Sequence, residues 1–456
     1  MATIPFFVIS PNTLLALIGL VRGPKRVQPP DPDVIRALKV DVVIPAYNES
    51  NTIALCLASL MRQTMRPHTV TLIDDGSSDD TADIAEAFAA VNDFPMRVIR
   101  RAHSIGKTPG LKRESRERDG DVEFILDGDT ILESEDYLEK VVGHLYRVPG
   151  IASACGVIYP LRDRDRFAMS QTDGIQRLKQ VRPQTVLLPH RPFWRRVAKA
   201  ISNFDREVLY NFMQNFIYTG EQNLFGSIMN PVGCAVAYRR EYLKELFDRF
   251  EPKFGDDMTS SEDIFFGFIF IAQGYHNTQV QGVFARSDEP EVQKIPRQLL
   301  LWSSAWLQSA YYFPELLLSP FTAIKRWFHE RRSARESEKR RIVDGYRQPF
   351  GIAFAKLYGR PAGWMTLMAI LEKVAFPVIL LYLVIIKAWM PLGLTVLAEV
   401  LLYIVIIALF SKERRLEFIV KGVVATPIRY SRLVFDIVTI GNFIMDLISG
   451  RHRWRK

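Results

Sequence analysis

Three short apolar runs in the first third of the chain each lead into acidic or turn residues. The runs are VDVVIPA at 40–46, VTLI at 70–73 and VEFIL at 122–126, and segments with apolar residues at helical spacing separate them. Buried parallel strands have this composition, and alternation of strands with helices indicates a mostly parallel sheet with right-handed crossovers. The pattern predicts an α/β catalytic domain over residues 34–295, with its strand ends gathered in one site.

The hydrophobic pattern changes after residue 295. Residues 364–386 and 391–410 are each about long enough to cross a bilayer, and the short turn KAWMPLG joins them, so residues 364–410 are predicted to form a transmembrane hairpin. Residues 296–363 combine an aromatic-rich stretch with a basic segment, and residues 411–456 end in an amphipathic pattern. We interpret 296–363 as interfacial helices with a basic cytoplasmic segment, and 411–456 as an amphipathic interfacial segment.

Two other stretches of the chain are less clear. Residues 4–21 are apolar but short, and Pro5 and Pro11 interrupt them, so residues 1–33 are predicted to be a membrane helix with a linker, or a helix lying in the interface. Counting that helix as a span gives about three spans in all. Residues 162–224 are polar, basic and aromatic, and are predicted to be an acceptor-side insertion that is helical from Phe193 onward.

Charge and composition narrow the function further. The chain has 456 residues and a formal net charge of +9, and its basic residues cluster at 22–26, 325–347, 412–415 and 451–456, each beside an apolar stretch. That placement is typical of cytoplasmic membrane anchors rather than of nucleic-acid binding. The three cysteines are far apart, which gives neither a disulfide framework nor a zinc site. We therefore expect a multi-pass protein of the cytoplasmic (inner) membrane whose catalytic domain is in the cytoplasm.

Carboxylates at the strand ends indicate a metal and a phosphate ligand. Asp127 and Asp129 follow an apolar strand at alternate positions, and Asp74 and Asp75 end another. A hard divalent cation bound to phosphates needs only one or two protein carboxylates. Lys107, in the glycine-flanked HSIGKTPG, can approach a diphosphate. Taken singly, each of these residues also has an ordinary interpretation as a turn residue, a helix cap or a solvated side chain.

A second acidic pair indicates a general base. Glu262 and Asp263 lie at a predicted helix start, where the helix dipole favours ionised carboxylates. A carboxylate in that position can remove the proton of an acceptor hydroxyl.

The set and order of these motifs resemble the inverting, membrane-bound family-2 glycosyltransferases, which include cellulose, hyaluronan, chitin and poly-N-acetylglucosamine synthases. The resemblance covers roughly residues 40–302 and the flanking membrane segments. It rests on PAYNE at 45–49, DDGS at 74–77, the lysine of GK at 106–107, DGD at 127–129, GC at 233–234, and SED at 261–263 with GY at 274–275. It implies a GT-A (Rossmann-like) fold and transfer of a sugar from a nucleotide sugar with Mg²⁺ or Mn²⁺.

The resemblance also implies a role for each matching residue. Asp263 would be the catalytic base, assisted by Glu262 and by Asp127 near the donor, and Asp129 would carry the metal. Residues implied to bind the donor are Pro45, Tyr47, Glu49, Asp74, Asp75, Lys107, Asp127, Gln298 and Trp302. Residues implied to meet the acceptor are Gly233, Cys234 and Trp302. Asp256 and Asp257 follow Gly255 in a GDD sequence that could also be taken for the motif of the base. Asp263 is preferred because it has the spacing to Gly274 and Tyr275 that the family shows.

One position departs from the family pattern. Processive members carry QxxRW after the base, with an arginine that helps to hold the diphosphate, whereas this chain has Gln298-Leu299-Leu300-Leu301-Trp302. Leucine cannot perform that task. Arg297 or a residue of the loop around Arg286 is the candidate replacement.

Three functions remain open at this point. The first is an exopolysaccharide synthase that uses a nucleotide sugar, with UDP expected, to extend and secrete a chain, and whose few spans call for an accessory subunit or a homo-oligomer. The second is transfer of one sugar to a lipid carrier or glycolipid. The third is a catalytically dead nucleotide-sugar or cyclic-nucleotide receptor. Trp302 and the hairpin favour the first function, Leu301 and the sparse membrane domain favour the second, and intact Asp129 and Asp263 argue against the third.

Overall fold

An eight-stranded mixed sheet forms the centre of the catalytic domain. The computed structural model describes residues 10–24, 30–255, 258, 261–332, 354–411 and 415–449. The strands lie in the order β3-β2-β1-β4-β7-β6-β8-β5. Their bounds are β1 Val40–Ala46, β2 Thr69–Asp74, β3 Arg97–Arg100, β4 Val122–Leu126, β5 Thr130–Leu132, β6 Ile151–Pro160, β7 Ala235–Arg239 and β8 His276–Ser287.

The expectation of a mostly parallel sheet is wrong for its second half. Strands β1 to β4 pair in parallel, but β7 runs antiparallel to β4 and β6, and β5 antiparallel to β8. Strands β6 and β8, which the sequence pattern did not reveal, pair in parallel. The long helical connection between β6 and β7 lets β7 enter the sheet between β4 and β6 in the opposite direction. Leu126 at the end of β4 therefore pairs with Ala235 at the start of β7.

Helices cover both faces of the sheet and continue beyond it. In the catalytic domain they are α2 Pro32–Ala37, α3 Ile53–Met61, α4 Thr81–Val91, α5 Lys107–Glu117, α6 Tyr137–Leu145, α7 Asp163–Ser170, α8 Asp173–Val181, α9 Phe193–Phe212, α10 Thr219–Phe225, α11 Arg240–Phe254 and α12 Glu262–Ala272. The flanking helices are α1 Pro11–Arg22, α13 Ile295–Tyr312, α14 Pro314–Arg332, α15 Phe354–Tyr358, α16 Gly363–Ile385, α17 Trp389–Phe410 and α18 Arg415–Ile448.

The alternation of side chains along the strands creates two apolar layers. Val42 and Ile44 of β1 belong to a buried cluster with α3, α4 and α6, whereas Val43 belongs to a second cluster with α5, α11 and α12. Neighbouring residues of a strand point to opposite faces, so a continuous apolar run is what a strand covered on both sides requires. This sandwich of helices around the sheet confirms the predicted fold class.

Two local predictions have different outcomes. The basic stretch HSIGKTPGLKRESRER at 103–118 has the composition of a loop, but it is helical from Lys107 to Glu117; Pro109 lies in the first turn, where a helix tolerates proline. The insertion is helical from Phe193 to Phe212, as predicted, and continues through a π-helical segment, Met213–Tyr218.

Helices α16 and α17 are long and apolar enough to cross a membrane, and most of their surface is not buried by the protein. Helix α1 has only 12 residues, about 18 Å at the rise of an α-helix, against about 30 Å of hydrocarbon. It packs on α10, where a Cβ at Gly19 would lie 1.9 Å from the carbonyl oxygen of Gly220. The described residues thus contain two candidate spans rather than about three.

The C-terminal helix is longer than its amphipathic pattern indicated. It runs without a break from Arg415 to Ile448 and packs on α9, α13, α16 and α17. Its placement in a membrane interface remains a prediction. Residues 1–9 and the basic segments at 333–347, 412–414 and 451–456 lie outside the described residues.

A buried ion cluster fixes the edge of the sheet at the start of β1 and β4. The guanidinium of Arg240 donates hydrogen bonds to Asp41 (2.7 Å) and to the carbonyl oxygens of Gly120 (2.6 Å) and Glu114 (2.7 Å). It also lies 3.4 Å from the Glu123 carboxylate, and both carboxylates are buried.

We expect Arg240→Met to lower the free energy of unfolding by about 3–5 kcal/mol, because two buried carboxylates lose their cation. The measurement is the thermal unfolding midpoint of the detergent-purified chain. Arg100→Met, which removes an exposed partner of Asp83 and Glu86, is the control and should cost less than about 1 kcal/mol. Equal midpoints for the two variants would contradict the role given to Arg240.

Candidate active site

The turn after β4 joins three segments at one edge of the sheet. The backbone N–H of Asp127 donates to the carbonyl oxygen of Cys234 (2.9 Å), and that of Gly128 donates to Pro45 (3.1 Å). A Cβ on Gly128 would lie 3.1 Å from the Cβ of Ala46, so a side chain here would be tightly packed against β1. The end of β1, the end of β4 and the loop before β7 are therefore in contact.

Asp129 lies where negative charge accumulates. Its Oδ1 accepts hydrogen bonds from the hydroxyls of Thr130 (3.0 Å) and Ser287 (3.3 Å). Burial raises the pKa of Asp129 well above its usual range, and the charges of Glu49, Asp127 and Asp288 add to the effect. A set of carboxylates that raise one another's proton affinity has the chemistry of a divalent-cation site.

The residues around Asp129 fit a divalent cation that takes only some of its ligands from the protein. In the part of the chain that the structure describes, no group of three or more His, Cys, Asp or Glu side chains has the geometry of a complete metal site. Mg²⁺ usually binds one or two carboxylates and completes its coordination with phosphate oxygens and water. Asp129 can serve as such a ligand.

A partly buried ammonium group connects the turn after β4 with the start of α12. Lys107 Nζ lies 2.7 Å from Asp127 Oδ1 and 2.8 Å from Glu262 Oε1, and it donates to the carbonyl oxygen of Gly233 (3.3 Å). Burial alone would lower the pKa of Lys107, but the two carboxylates raise it above its usual range. Lys107 therefore stays protonated, and the Glu262 carboxylate forms an ion pair with its ammonium group.

Asp75 shapes the loop that presents Lys107. One carboxylate oxygen accepts from Arg101 Nη1 (2.6 Å) and the Ile105 N–H (3.1 Å), and the other accepts from the Ser104 hydroxyl (2.5 Å) and the Gly106 N–H (2.9 Å). Although burial opposes it, these hydrogen bonds hold the pKa of Asp75 below its usual range. Both oxygens are thus engaged by the protein, and the nucleotide contact that the resemblance implies for Asp75 remains a prediction.

Asp263 lies at the start of α12 and contacts the loop before β7. Its Oδ1 accepts from the Ser261 hydroxyl (2.5 Å) and the Ile264 N–H (2.8 Å), and its Oδ2 accepts from the Gly233 N–H (3.1 Å). A Cβ on Gly233 would lie 2.8 Å from Asp263, so only glycine permits this approach. Burial, with the neighbouring charge of Glu262, raises the pKa of Asp263 to about 6. Asp256 and Asp257 lie outside the described residues.

The other predicted donor residues lie at the ends of β1 and β2. Tyr47 is 53% exposed, and the Asp74 carboxylate accepts from the backbone N–H of Ser77 (3.0 Å). Glu49 accepts from the Thr52 hydroxyl (2.8 Å), and burial, helped by the charge of Asp288 among others, raises the pKa of Glu49 to about 7. Asp74 and Glu49 thus have hydrogen-bond partners within the protein, whereas Tyr47 presents its side chain to solvent.

Helix α13 brings the altered QxxLW motif to an arginine that the sequence did not indicate. Gln298 accepts a hydrogen bond from Arg206 Nη2 (2.6 Å), and the Arg206 guanidinium lies 4.8 Å from the ring centroid of Trp302. Of the two predicted replacements, Arg297 is exposed, and Arg286 is engaged with Glu133 (2.9 Å) and Asp165 (3.4 Å). Arg206, which makes both contacts, belongs to α9 within the insertion at residues 162–224.

A cavity extends from the Asp263 side of the site toward the candidate membrane helices. Its volume is about 410 Å³, and Asp263, Trp302 and Trp306 line it, as do Lys373 of α16 and Asp436 of α18. A second cavity of about 370 Å³ shares Trp306, Lys373 and Asp436 and continues to α17.

The second cavity reaches a paired carboxylate. Glu399 of α17 accepts from Arg429 Nη2 (2.6 Å) and from the Tyr430 hydroxyl (2.7 Å). These contacts identify Glu399 as a carboxylate that is paired within the helical bundle.

Sequence reasoning missed two features of the site. Asp288 and Glu289 directly follow β8, but the sequence of that strand, HNTQVQGVFARS, is largely polar and lacks the apolar run that revealed Asp74 and Asp127. Arg206 gave no signal, because it is one of many arginines in an insertion without a motif.

Comparison with known proteins adds a family and a fold. Residues 41–247 match glycosyl transferase family 2. Two N-acetylglucosaminyltransferases are similar in sequence, one from Azorhizobium caulinodans (24% identity, 58% of this chain and 59% of the relative) and one from Bradyrhizobium diazoefficiens (26% identity, 61% and 51%). The chain thus spans between half and three fifths of these relatives.

A solved structure has a similar fold over nearly its whole length. It is a mannosyltransferase from Pyrobaculum calidifontis in complex with GDP-Man and Mn²⁺, with a TM-score of 0.50, 15% identity, and coverage of 96% of this chain and 95% of that one. The likeness extends beyond the sheet to the flanking helices.

Proposed function

We propose that this chain, whose residues 41–247 match glycosyl transferase family 2, is an inverting and metal-dependent glycosyltransferase. It would transfer a sugar from a nucleotide-diphosphate sugar, with UDP expected, to a growing polysaccharide at the cytoplasmic face of the membrane. One observation carries the proposal. The ammonium of Lys107 binds Asp127 on the donor side and Glu262 on the acceptor side, and the next residue, Asp263, is a carboxylate with a raised pKa.

The geometry fits a single displacement. The acceptor hydroxyl oxygen attacks the anomeric carbon, the bond from that carbon to the diphosphate oxygen breaks, and the nucleoside diphosphate leaves with the bonding electrons. The Asp263 carboxylate accepts the hydroxyl proton, and attack opposite the leaving group inverts the configuration. Lys107 stabilises negative charge on the diphosphate. Mg²⁺ or Mn²⁺ held by Asp129 would neutralise charge on the same group.

The cavity beside Asp263 supports a saccharide acceptor. Trp302 and Trp306 provide aromatic faces, and Gln214, Ser303 and Asp436 provide hydrogen-bonding groups along the same wall. A site that recognises polar rings needs both kinds of group. The names of the two sequence relatives make N-acetylglucosamine the first sugar to test.

Two candidate spans cannot enclose a channel by themselves, so the proposal includes an accessory subunit or a second copy for secretion. The proposed location is the cytoplasmic (inner) membrane, with the catalytic domain in the cytoplasm.

A lipid-linked acceptor is the second candidate, and one observation favours it. The cavity has an apolar wall that includes Leu299, Met365 and Ala369, and its far end lies between α16 and α18. An acyl or prenyl chain would fit there while its head group meets Asp263. Products sized on a gel after nucleotide release separate a polymer from a single-sugar lipid.

The first test of the proposal is Asp263→Asn. We expect nucleotide release from UDP-sugars by the detergent-purified chain to fall by about 10²–10⁴-fold, because the proton acceptor is lost. Donor binding measured by calorimetry should change little, since Asp263 lies on the acceptor side. Asp248→Asn, an exposed partner of Arg116, is the control with unchanged turnover. Retained turnover in Asp263→Asn would remove the base assignment.

The raised pKa of Asp263 predicts the pH dependence. Only the ionised carboxylate accepts a proton, so kcat/KM should fall about tenfold for each pH unit below about 6, the pKa of Asp263. Glu262→Gln removes a neighbouring negative charge and should move this acid limb to lower pH, whatever it does to the maximal rate. Glu117→Gln, on the exposed side of α5, should leave the limb in place. An acid limb that did not move in Glu262→Gln would contradict the assignment.

Asp129→Ala tests the metal site. We expect donor binding to become weak and to be the same with Mg²⁺, with Mn²⁺ or with chelator, because the protein ligand of the cation is gone. The measurement is donor calorimetry in each condition, with Asp83→Ala, an exposed partner of Arg100, as the control. If the metal requirement survived in Asp129→Ala, another residue would have to hold the cation.

A further inference from the structure

Arg206 of α9 is fully buried, yet its guanidinium is incompletely bonded. Nη2 donates to Gln298 Oε1 (2.6 Å), and Nε lies 3.6 Å from Glu289 Oε2. Within the described part of the chain, Nη1 has no hydrogen-bond partner. Burying an arginine with unpaired N–H groups is costly, and residues of similar size without charge usually serve the core better. The arrangement calls for an explanation other than stability.

The contacts of Arg206 lie on the face of α13 that borders the acceptor cavity. Gln298 and Trp302 are four residues apart and therefore share one side of the helix. The guanidinium lies 4.8 Å from the centroid of the Trp302 ring, within the range of a cation–π interaction. Trp302 and Asp263 line the same cavity. Arg206 thus fixes a side chain that faces the proposed base.

A second set of contacts leads from Arg206 to the metal side. Its partner Glu289 also accepts from the Tyr210 hydroxyl (2.8 Å). The preceding residue, Asp288, donates its backbone N–H to the carbonyl oxygen of Asp129 (3.1 Å). Arg206 therefore links α13 to the turn that carries Asp129, the proposed metal ligand.

The ion pairs of Asp288 and Glu289 include one more cation than carboxylate. Asp288 Oδ1 lies 2.8 Å from Lys199 Nζ and Asp288 Oδ2 lies 3.0 Å from Arg166 Nη2. With Arg206 and Glu289, three buried cations face these two carboxylates. Glu49, Asp127 and Asp129 lie beside this set and add negative charge, so the extra cation offsets part of the repulsion that a diphosphate would meet at the turn of Asp129.

We propose that Arg206 is a positioning residue that provides, from α9, the guanidinium that α13 lacks at Leu301. It holds Gln298 and Trp302 in place, and its charge stabilises the diphosphate as it leaves. This inference rests on the proposed glycosyl transfer. It assigns a role in that reaction to the insertion, which carries no recognisable motif.

The test removes the arginine together with its carboxylate partner. In Arg206→Met/Glu289→Gln no buried charge is left alone, so the thermal midpoint should stay within about 2 °C of the wild type. We expect kcat for nucleotide release to fall by about 100-fold and the donor KM to change by less than about threefold, because the leaving group carries most charge in the transition state.

Placing a guanidinium on α13 distinguishes a role of Arg206 in the reaction from a role in stability alone. Adding Leu301→Arg to the double variant should raise kcat by at least about tenfold. Leu301 lies three residues after Gln298 and is its neighbour on the helix surface, so the cation is restored near one of the same groups. Arg240→Met is the matched control. That variant loses a buried arginine far from the site, and Leu301→Arg should not raise its activity.

Arg206→Lys tests the same inference if the double variant does not fold. Lysine keeps a charge for Glu289 but cannot bond to Gln298 and stack on Trp302 at once, so kcat should fall by about tenfold. Wild-type kcat in Arg206→Lys or in the double variant, or no recovery with Leu301→Arg, would overturn the inference.

Asp263→Asn, measured in parallel, separates the two proposals. If the wild type transfers sugar and Asp263→Asn does not, a failure of the Arg206 variants concerns Arg206 alone. If neither wild type nor Asp263→Asn releases nucleotide from any donor, the proposed function fails, and the inference fails with it.

Discussion

The ammonium of Lys107 lies between carboxylates that come from distant parts of the chain. Asp127 follows β4, Glu262 begins α12, and the carbonyl oxygen of Gly233 adds a contact from the loop before β7. Without the cation, two partly buried carboxylates would repel each other across the site. Because both are attracted to Lys107, the turn after β4, the loop before β7 and the start of α12 stay within reach of one another.

The direction of β7 makes that meeting possible. Because β7 is antiparallel to β4, the start of one strand lies beside the end of the other, and Asp127 bonds to Cys234 across them. A parallel β7 would have put the loop before it at the opposite edge of the sheet. Gly233 then completes the contact, since any larger residue would collide with Asp263. The mixed sheet is thus a condition for bringing Asp127 and Asp263, the residues proposed for the donor and acceptor sides, close together.

The insertion connects this site to the C-terminal helices. Helix α9 contributes Arg206 to the α13 face, and further along it Val208 packs with Tyr403 of α17 and Phe418 of α18. The cavity that begins at Asp263 ends among α16 and α18. A shift of these helices would therefore reach Trp302 through packed side chains, next to the cavity proposed for the acceptor.

The sequence by itself determined the local parts of this protein. Strands such as Val40–Ala46 were visible because burial on two faces demands a continuous apolar run, and Asp127, Asp129 and Asp263 stood out because each lies at the end or start of an element. The candidate spans α16 and α17 were visible for the same reason, since length and hydropathy are properties of a segment.

The tertiary structure alone decided which segments meet. The direction of β7 depends on a long connection, the bonds of Asp75 depend on how a distant loop folds back, and Arg206 resembles its neighbouring arginines until α13 packs on it. Pairing, register and the partner of a buried charge depend on contacts between residues far apart in the chain, and a local pattern does not contain them.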